Sequence, residues 1–149
     1  MRTGVRIAID PGMKRIGVAR CDREAIMAVP LDTLDATNDA WVQECVRLVE
    51  EYEPIELIVG NPVSLRGHDE LASVRVRERI APLRAALPML PIRLVDERLT
   101  TATALKQLQT SGKSAKESRK FVDAAAAVGI LEFALEYERK TGKPAGEDV

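Results

Sequence analysis

Apolar and polar residues alternate with period two in three short segments near the start of the chain. They read as strands over Val5–Asp10, Arg15–Arg20 and Ala25–Pro30, with turns short enough for an antiparallel meander. The period then changes. Trp41, Val42, Cys45, Leu48, Val49 and Tyr52 fall on one helical stripe, Asp35, Thr37 and Asn38 offer caps ahead of it, and Pro54 stops it. A continuous apolar run, Ile55–Val59, predicts a buried strand ending in Gly60-Asn61-Pro62. A second helix carries Leu71, Val74, Ile80, Leu83 and Leu87, with Pro82 expected to kink or end it. Ile92–Val95 predicts a fifth strand, Thr101–Gln109 a short helix, and Glu117–Lys140 a long one with Phe121, Ala125, Val128, Leu131 and Leu135 on its stripe. The order βββαβαβαα calls for an α/β fold, a mixed sheet with helices on both faces.

Composition narrows the class. The 149 residues suit a single domain spanning 1–149, and the last stretch, about 141–149, reads as a flexible tail. No apolar run approaches the roughly 18 residues of a membrane span, and "MRTGVRIAID" enters a strand without a signal-peptide core, so a cytoplasmic protein with no membrane partner is expected. Cys21 and Cys45 form no CxxC or Cys/His cluster; they read as reduced packing residues with no zinc site.

Three acids stand where the framework expects neutral residues. Asp10 ends the first strand, Glu97 follows the fifth, and Asp123 lies early in the last helix. Each has a plain explanation: Asp10 as a turn residue, Glu97 as an exposed partner of Arg98, Asp123 as a favourable charge at a helix start. Together they are carboxylates at the carboxyl ends of strands, where open α/β sheets place their sites. Gathered there they would repel, and a hard divalent cation with oxygen ligands would remove the penalty. Asp10 belongs to a metal site, on this reading, if Glu97 and Asp123 reach it.

Net charge is only −1, but charge is unevenly spread. Eight acids and one cation, Arg47, lie between Asp32 and Glu56, whereas Lys106, Lys113, Lys116, Arg119 and Lys120 face Glu117 alone between Ala104 and Phe121. The basic stretch suits phosphates, although an ordinary solvated face would look the same. "SGKSAK" fails as a Walker A motif because Gln107 stands where its first glycine is required. His68, the single histidine, reads as a surface residue. The few aromatic residues argue against base stacking, leaving recognition to phosphates and shape.

Four motifs in order then carry a family resemblance: "IDPGMKRIGVA" (Ile9–Ala19), "VGNPVSLRG" (Val59–Gly67), "VDERLTT" (Val95–Thr101) and "VDAAAAVGIL" (Val122–Leu131). From Val5 to about Leu135 the chain resembles the YqgF/RuvX family of RNase H-like proteins, the Holliday junction resolvase or pre-16S rRNA nuclease family. The resemblance implies an RNase H-like fold with a five-stranded sheet ordered 3-2-1-4-5, and hydrolysis of phosphodiesters with Mg²⁺ or Mn²⁺. It implies Asp10, Glu97 and Asp123 as catalytic and metal-holding residues. Nucleic-acid contacts are expected from Lys14, Arg15, Asn61, Arg98, Lys113, Lys116, Arg119 and Lys120. The expected substrate is structured RNA, the 5′ end of precursor 16S rRNA, with branched DNA as runner-up; the protein would act as a monomer or homodimer. In the order 3-2-1-4-5, Glu97 must cross the fourth strand to meet Asp10, and Gly60 leaves room there. Two other classes compete. "DPGMKRIG" also resembles the phosphate turn of actin-like ATP-binding proteins, but those close two domains around the nucleotide. A catalytically idle RNA-binding assembly factor would survive Asp10→Asn.

Overall fold

The computed structural model describes residues 1–61, 69–100 and 116–149, excepting the side chains of 69–73, 98 and 116–120. The expected helix Thr101–Gln109, Lys113, Pro62 and His68 lie outside the described residues. The strands are β1 (Arg6–Pro11), β2 (Arg15–Cys21), β3 (Ala28–Asp35), β4 (Glu56–Asn61), β5 (Ile92–Asp96) and β6 (Glu147–Asp148). Among the described residues the α-helices are α1 (Ala40–Tyr52), α2 (Asp69–Ala86) and α3 (Lys116–Thr141).

One mixed sheet is ordered β3-β2-β1-β4-β5-β6, which contains the expected 3-2-1-4-5 and adds a sixth strand. The β1–β2–β3 meander is antiparallel, and β4 and β5 run parallel to β1. Strand alternation divides the core in two. Ile7, Ile9, Val18, Leu57 and Val59 face α1 and α2, where Trp41, Cys45, Val76, Ile80 and Leu83 pack on them. Ala8, Ala19, Ile58 and Val95 face α3, which meets them with Ala126, Ala127, Ile130, Leu131, Ala134 and Leu135. Both cysteines are free and buried, and burial pushes the Cys45 thiol up to about 12, so it stays protonated and serves as packing.

Four expectations need correction. The third strand begins at Ala28 rather than Ala25 and runs on to Asp35. Asp22 Oδ1 accepts from the amides of Ile26 and Met27 (2.9 and 2.8 Å), and Ala25 adopts a left-handed φ of 58°, so this stretch is a turn. Pro30 is tolerated because β3 is an edge strand. Of the two outcomes expected at Pro82, a kink or an end, the end is overturned, since α2 continues to Ala86. The long helix buries Leu131 and Leu135 of the expected stripe, with Ala126, Ala127, Ile130 and Ala134, but leaves Phe121 72% exposed. The end of the chain is no loose tail: β6 pairs antiparallel with β5. Arg93 donates to Ala145 O and Gly146 O (both 2.6 Å) and to Asp148 (2.7 Å). Gly146, with φ at 79°, brings this segment so close to β5 that a Cβ would sit 2.1 Å from Leu94 O.

Candidate active site

The carboxyl ends of β1, β4 and β5 are parallel and adjacent, and Asp10 and Glu97 stand at two of them. Asp10 closes β1 and is 1% exposed; Glu97, on a 3-10 turn after β5, is 2% exposed. Alternation from Ala8 turns Asp10 toward the α3 face. Its cross-strand partner on β2 is Gly17. On the other side the ladder with β4 ends at the pair Ile9–Val59, and Gly60 is the next residue of β4. A glycine therefore stands on each strand flanking β1, and each gap is filled by the neighbourhood of another acid. A Cβ at Gly17 would lie 2.0 Å from the backbone oxygen of Asp123, so α3 rests directly on β2 there. A Cβ at Gly60 would lie 2.6 Å from Glu97 Oε1 and 3.1 Å from its Cγ. The Glu97 side chain thus lies across β4, over the gap that Gly60 leaves. Thr100 steadies the turn, its amide and hydroxyl both donating to Glu97 O at 3.0 and 2.8 Å.

Basic residues come to the same end. Arg15 Nε donates to Asp123 Oδ2 at 2.8 Å. Lys14 is exposed in the turn after Asp10, and Asn61 is buried at the end of β4. The side chains of Arg98, Lys116, Arg119 and Lys120 lie outside the described residues. Arg79 is a further member with no counterpart in the sequence reading. From α2 it donates to Pro11 O at 3.1 Å and also to Gly12 O, holding the turn that follows Asp10. Burial pushes its guanidinium below the usual range, and the nearby Asp10 carboxylate offsets part of that. Its signal was present: Arg79 falls on the same helical stripe as Val76, Ile80 and Leu83, where an arginine needs a reason.

The donors are all carboxylate oxygens, the chemistry that suits Mg²⁺ or Mn²⁺. As the side chains stand, no three acids, cysteines or histidines among the described residues form a group that could hold an ion. Asp123, one of the three, is turned to Arg15.

The RuvX family, described as Holliday junction resolvase, matches residues 4–137. The chain belongs to this family. Among curated RuvX relatives, one from Streptomyces coelicolor is 47% identical over 150 aligned positions, covering 100% of this chain and 90% of that protein. Another from Cutibacterium acnes is 48% identical, covering 91% of this chain and 84% of that protein. Both carry the name "Putative pre-16S rRNA nuclease". Among solved structures, Thermus thermophilus RuvC in complex with Holliday junction substrate superposes with a TM-score of 0.60 at 15% identity, over 97% of this chain and 99% of that one. The shared architecture is the RNase H-like fold expected from the resemblance, with β6 added at its edge. No helix among the described residues is long and apolar enough to cross a membrane.

Proposed function

We propose that this RuvX-family chain is a metal-dependent endonuclease that hydrolyses phosphodiesters of structured nucleic acid, with the 5′ end of precursor 16S rRNA as its substrate. The observation that carries the reading is the pair of glycines beside Asp10, which gives Glu97 and the Asp123 backbone access to the same strand end. The names of relatives at 47% and 48% identity over nearly the full chain support the substrate. Asp10, Glu97 and Asp123 would hold Mg²⁺ or Mn²⁺, which supplies charge to activate water and to stabilise the leaving oxygen. Lys14 and Arg15, on the turn beside Asp10, would take substrate phosphates. Arg79 fixes the Pro11-Gly12 backbone and so the approach of that turn to the scissile group. Buried at the strand end, Asp10 and Glu97 exclude bulk water from their own surroundings.

A four-way DNA junction is the second reading, favoured by the description of the matched family. Paired cuts on a junction would call for a symmetric dimer. One cleavage assay tests both: precursor rRNA 5′ ends, junction DNA and linear controls, each with Mg²⁺, Mn²⁺ or chelator. Metal-dependent cutting confined to the precursor is expected. Cutting confined to the junction would transfer the assignment to resolution, and no cutting of any substrate would leave the RNA-binding assembly factor as the better reading.

A further inference from the structure

We propose that Arg15 is a latch on the candidate metal site. It holds the Asp123 carboxylate while nucleic acid is absent, and a substrate phosphate draws it off, freeing Asp123 for a divalent cation. This rests on the nuclease reading above and adds a coupling between the two ligands that the reading does not require.

The geometry is specific. The α3 backbone at Asp123 sits against Gly17 with no space between, so a change of partner at Asp123 must come from its side chain rather than from a shift of its helix. That side chain is bonded to Arg15 Nε at 2.8 Å, and both groups are largely shielded, 22% and 14% exposed. Arg15 opens β2, directly after the turn carrying exposed Lys14, so a phosphate arriving at the turn meets it early. Guanidinium pairs with phosphate through two parallel hydrogen bonds, a better match than a single bond through Nε. Once Arg15 turns to a phosphate, the Asp123 carboxylate loses its counter-charge, and a divalent ion would replace it. Linkage makes the effect mutual: whatever factor nucleic acid adds to metal affinity, metal adds to nucleic-acid affinity.

The test is calorimetric titration of the full chain with Mn²⁺, alone and with a short RNA hairpin protected from cleavage by phosphorothioate linkages. Wild type should bind Mn²⁺ about five- to tenfold more tightly with the hairpin present. Arg15→Gln should bind Mn²⁺ about five- to tenfold more tightly than wild type without RNA, and gain little when RNA is added. Adding Asp123→Asn to Arg15→Gln should remove that gain. Structural damage would weaken metal binding, so the sign of the change separates a latch from a scaffold. Should Arg15→Gln fail to fold, Arg15→Lys carries the test and is expected between the two. Equal Mn²⁺ affinity in wild type and variant, or weaker binding in the variant, would overturn the latch while leaving the nuclease reading to its cleavage assay. No Mn²⁺ binding by any variant with or without RNA would overturn the latch together with metal dependence.

Discussion

Asp10 faces Gly17 on β2, and Gly60 follows the last β4 residue that pairs with β1, so both neighbouring strands carry a hydrogen atom there where a side chain would ordinarily stand. The two glycines should respond differently to a methyl group. At Gly60 the new Cβ would press mainly on the ends of two side chains, Glu97 and Ile130, which can shift. Gly60→Ala is therefore expected to cut cleavage sharply while lowering the melting temperature by only a few degrees, about 1 kcal/mol. At Gly17 the clash is with the α3 backbone, so Gly17→Ala should cost about 1–3 kcal/mol as well as activity, read from urea unfolding alongside cleavage. Asp10→Asn and Glu97→Gln should each bring cleavage to background with the fold retained by circular dichroism; activity surviving in either removes that residue from the mechanism. Asp10 and Glu97 were legible in sequence because a charge at the end of an apolar run is unusual, and both are buried. Arg79 was not, because an arginine on a helix is ordinary until its stripe is drawn.

At the scale of elements, the sequence reading succeeded wherever one face of a segment was clearly apolar. β1, β2, α1, β4 and β5 lie where the period puts them, and α1 ends at Glu53, in a left-handed conformation ahead of Pro54, although its N-cap is Asp39 rather than Asp35, Thr37 or Asn38. It failed where tertiary partners override local pattern. Glu147 and Asp148 have no strand propensity, yet they pair with β5 because Arg93 gathers three oxygens of that segment. Deleting residues 142–149 should therefore destabilise the protein by about 1–2 kcal/mol, a fall of a few degrees by calorimetry; an unchanged melting point would mean that β6 adds nothing. α3 was misread for a related reason. Half of its buried apolar residues are alanines, which allow close approach to the sheet, and bulk-weighted patterns follow Phe121 instead.

Across the whole molecule, α3 is tied to the sheet by charge at both ends. Near its start Asp123 meets Arg15; near its end Glu138 accepts from Arg6 at 2.8 Å and from the Arg2 amide at 2.9 Å, while Arg2 also reaches Glu56 at 3.0 Å. Arg6, Glu56 and Glu138 are all buried, at the opposite end of β1 from Asp10. Sequence alone could not foresee this cluster, since its members lie far apart along the chain and each resembles a surface charge. Burial alone would raise the Glu138 pKa, but hydrogen bonds from Arg2 and the charge of Arg6 outweigh it and hold the carboxyl below its usual value. A lowered carboxylate stabilises the fold above its unfolded pKa, about 4.3, and loses that contribution as pH falls through the folded value. Glu138→Gln should cost about 3 kcal/mol at neutral pH because it takes from buried Arg6 the carboxylate it is bonded to. The gap from wild type should close below about pH 4, measured by urea unfolding at stepped pH; a gap independent of pH would assign the cost to packing.

The paired hydrogens beside Asp10 also bear on how this chain can vary. Every single-base change in a glycine codon that yields another amino acid enlarges the residue, so Gly17 and Gly60 have no mild neighbours in mutational space. In a saturation library selected for function, these two positions should be nearly blank, whereas Val18 and Val59, one residue along on the opposite face, should accept isoleucine or leucine.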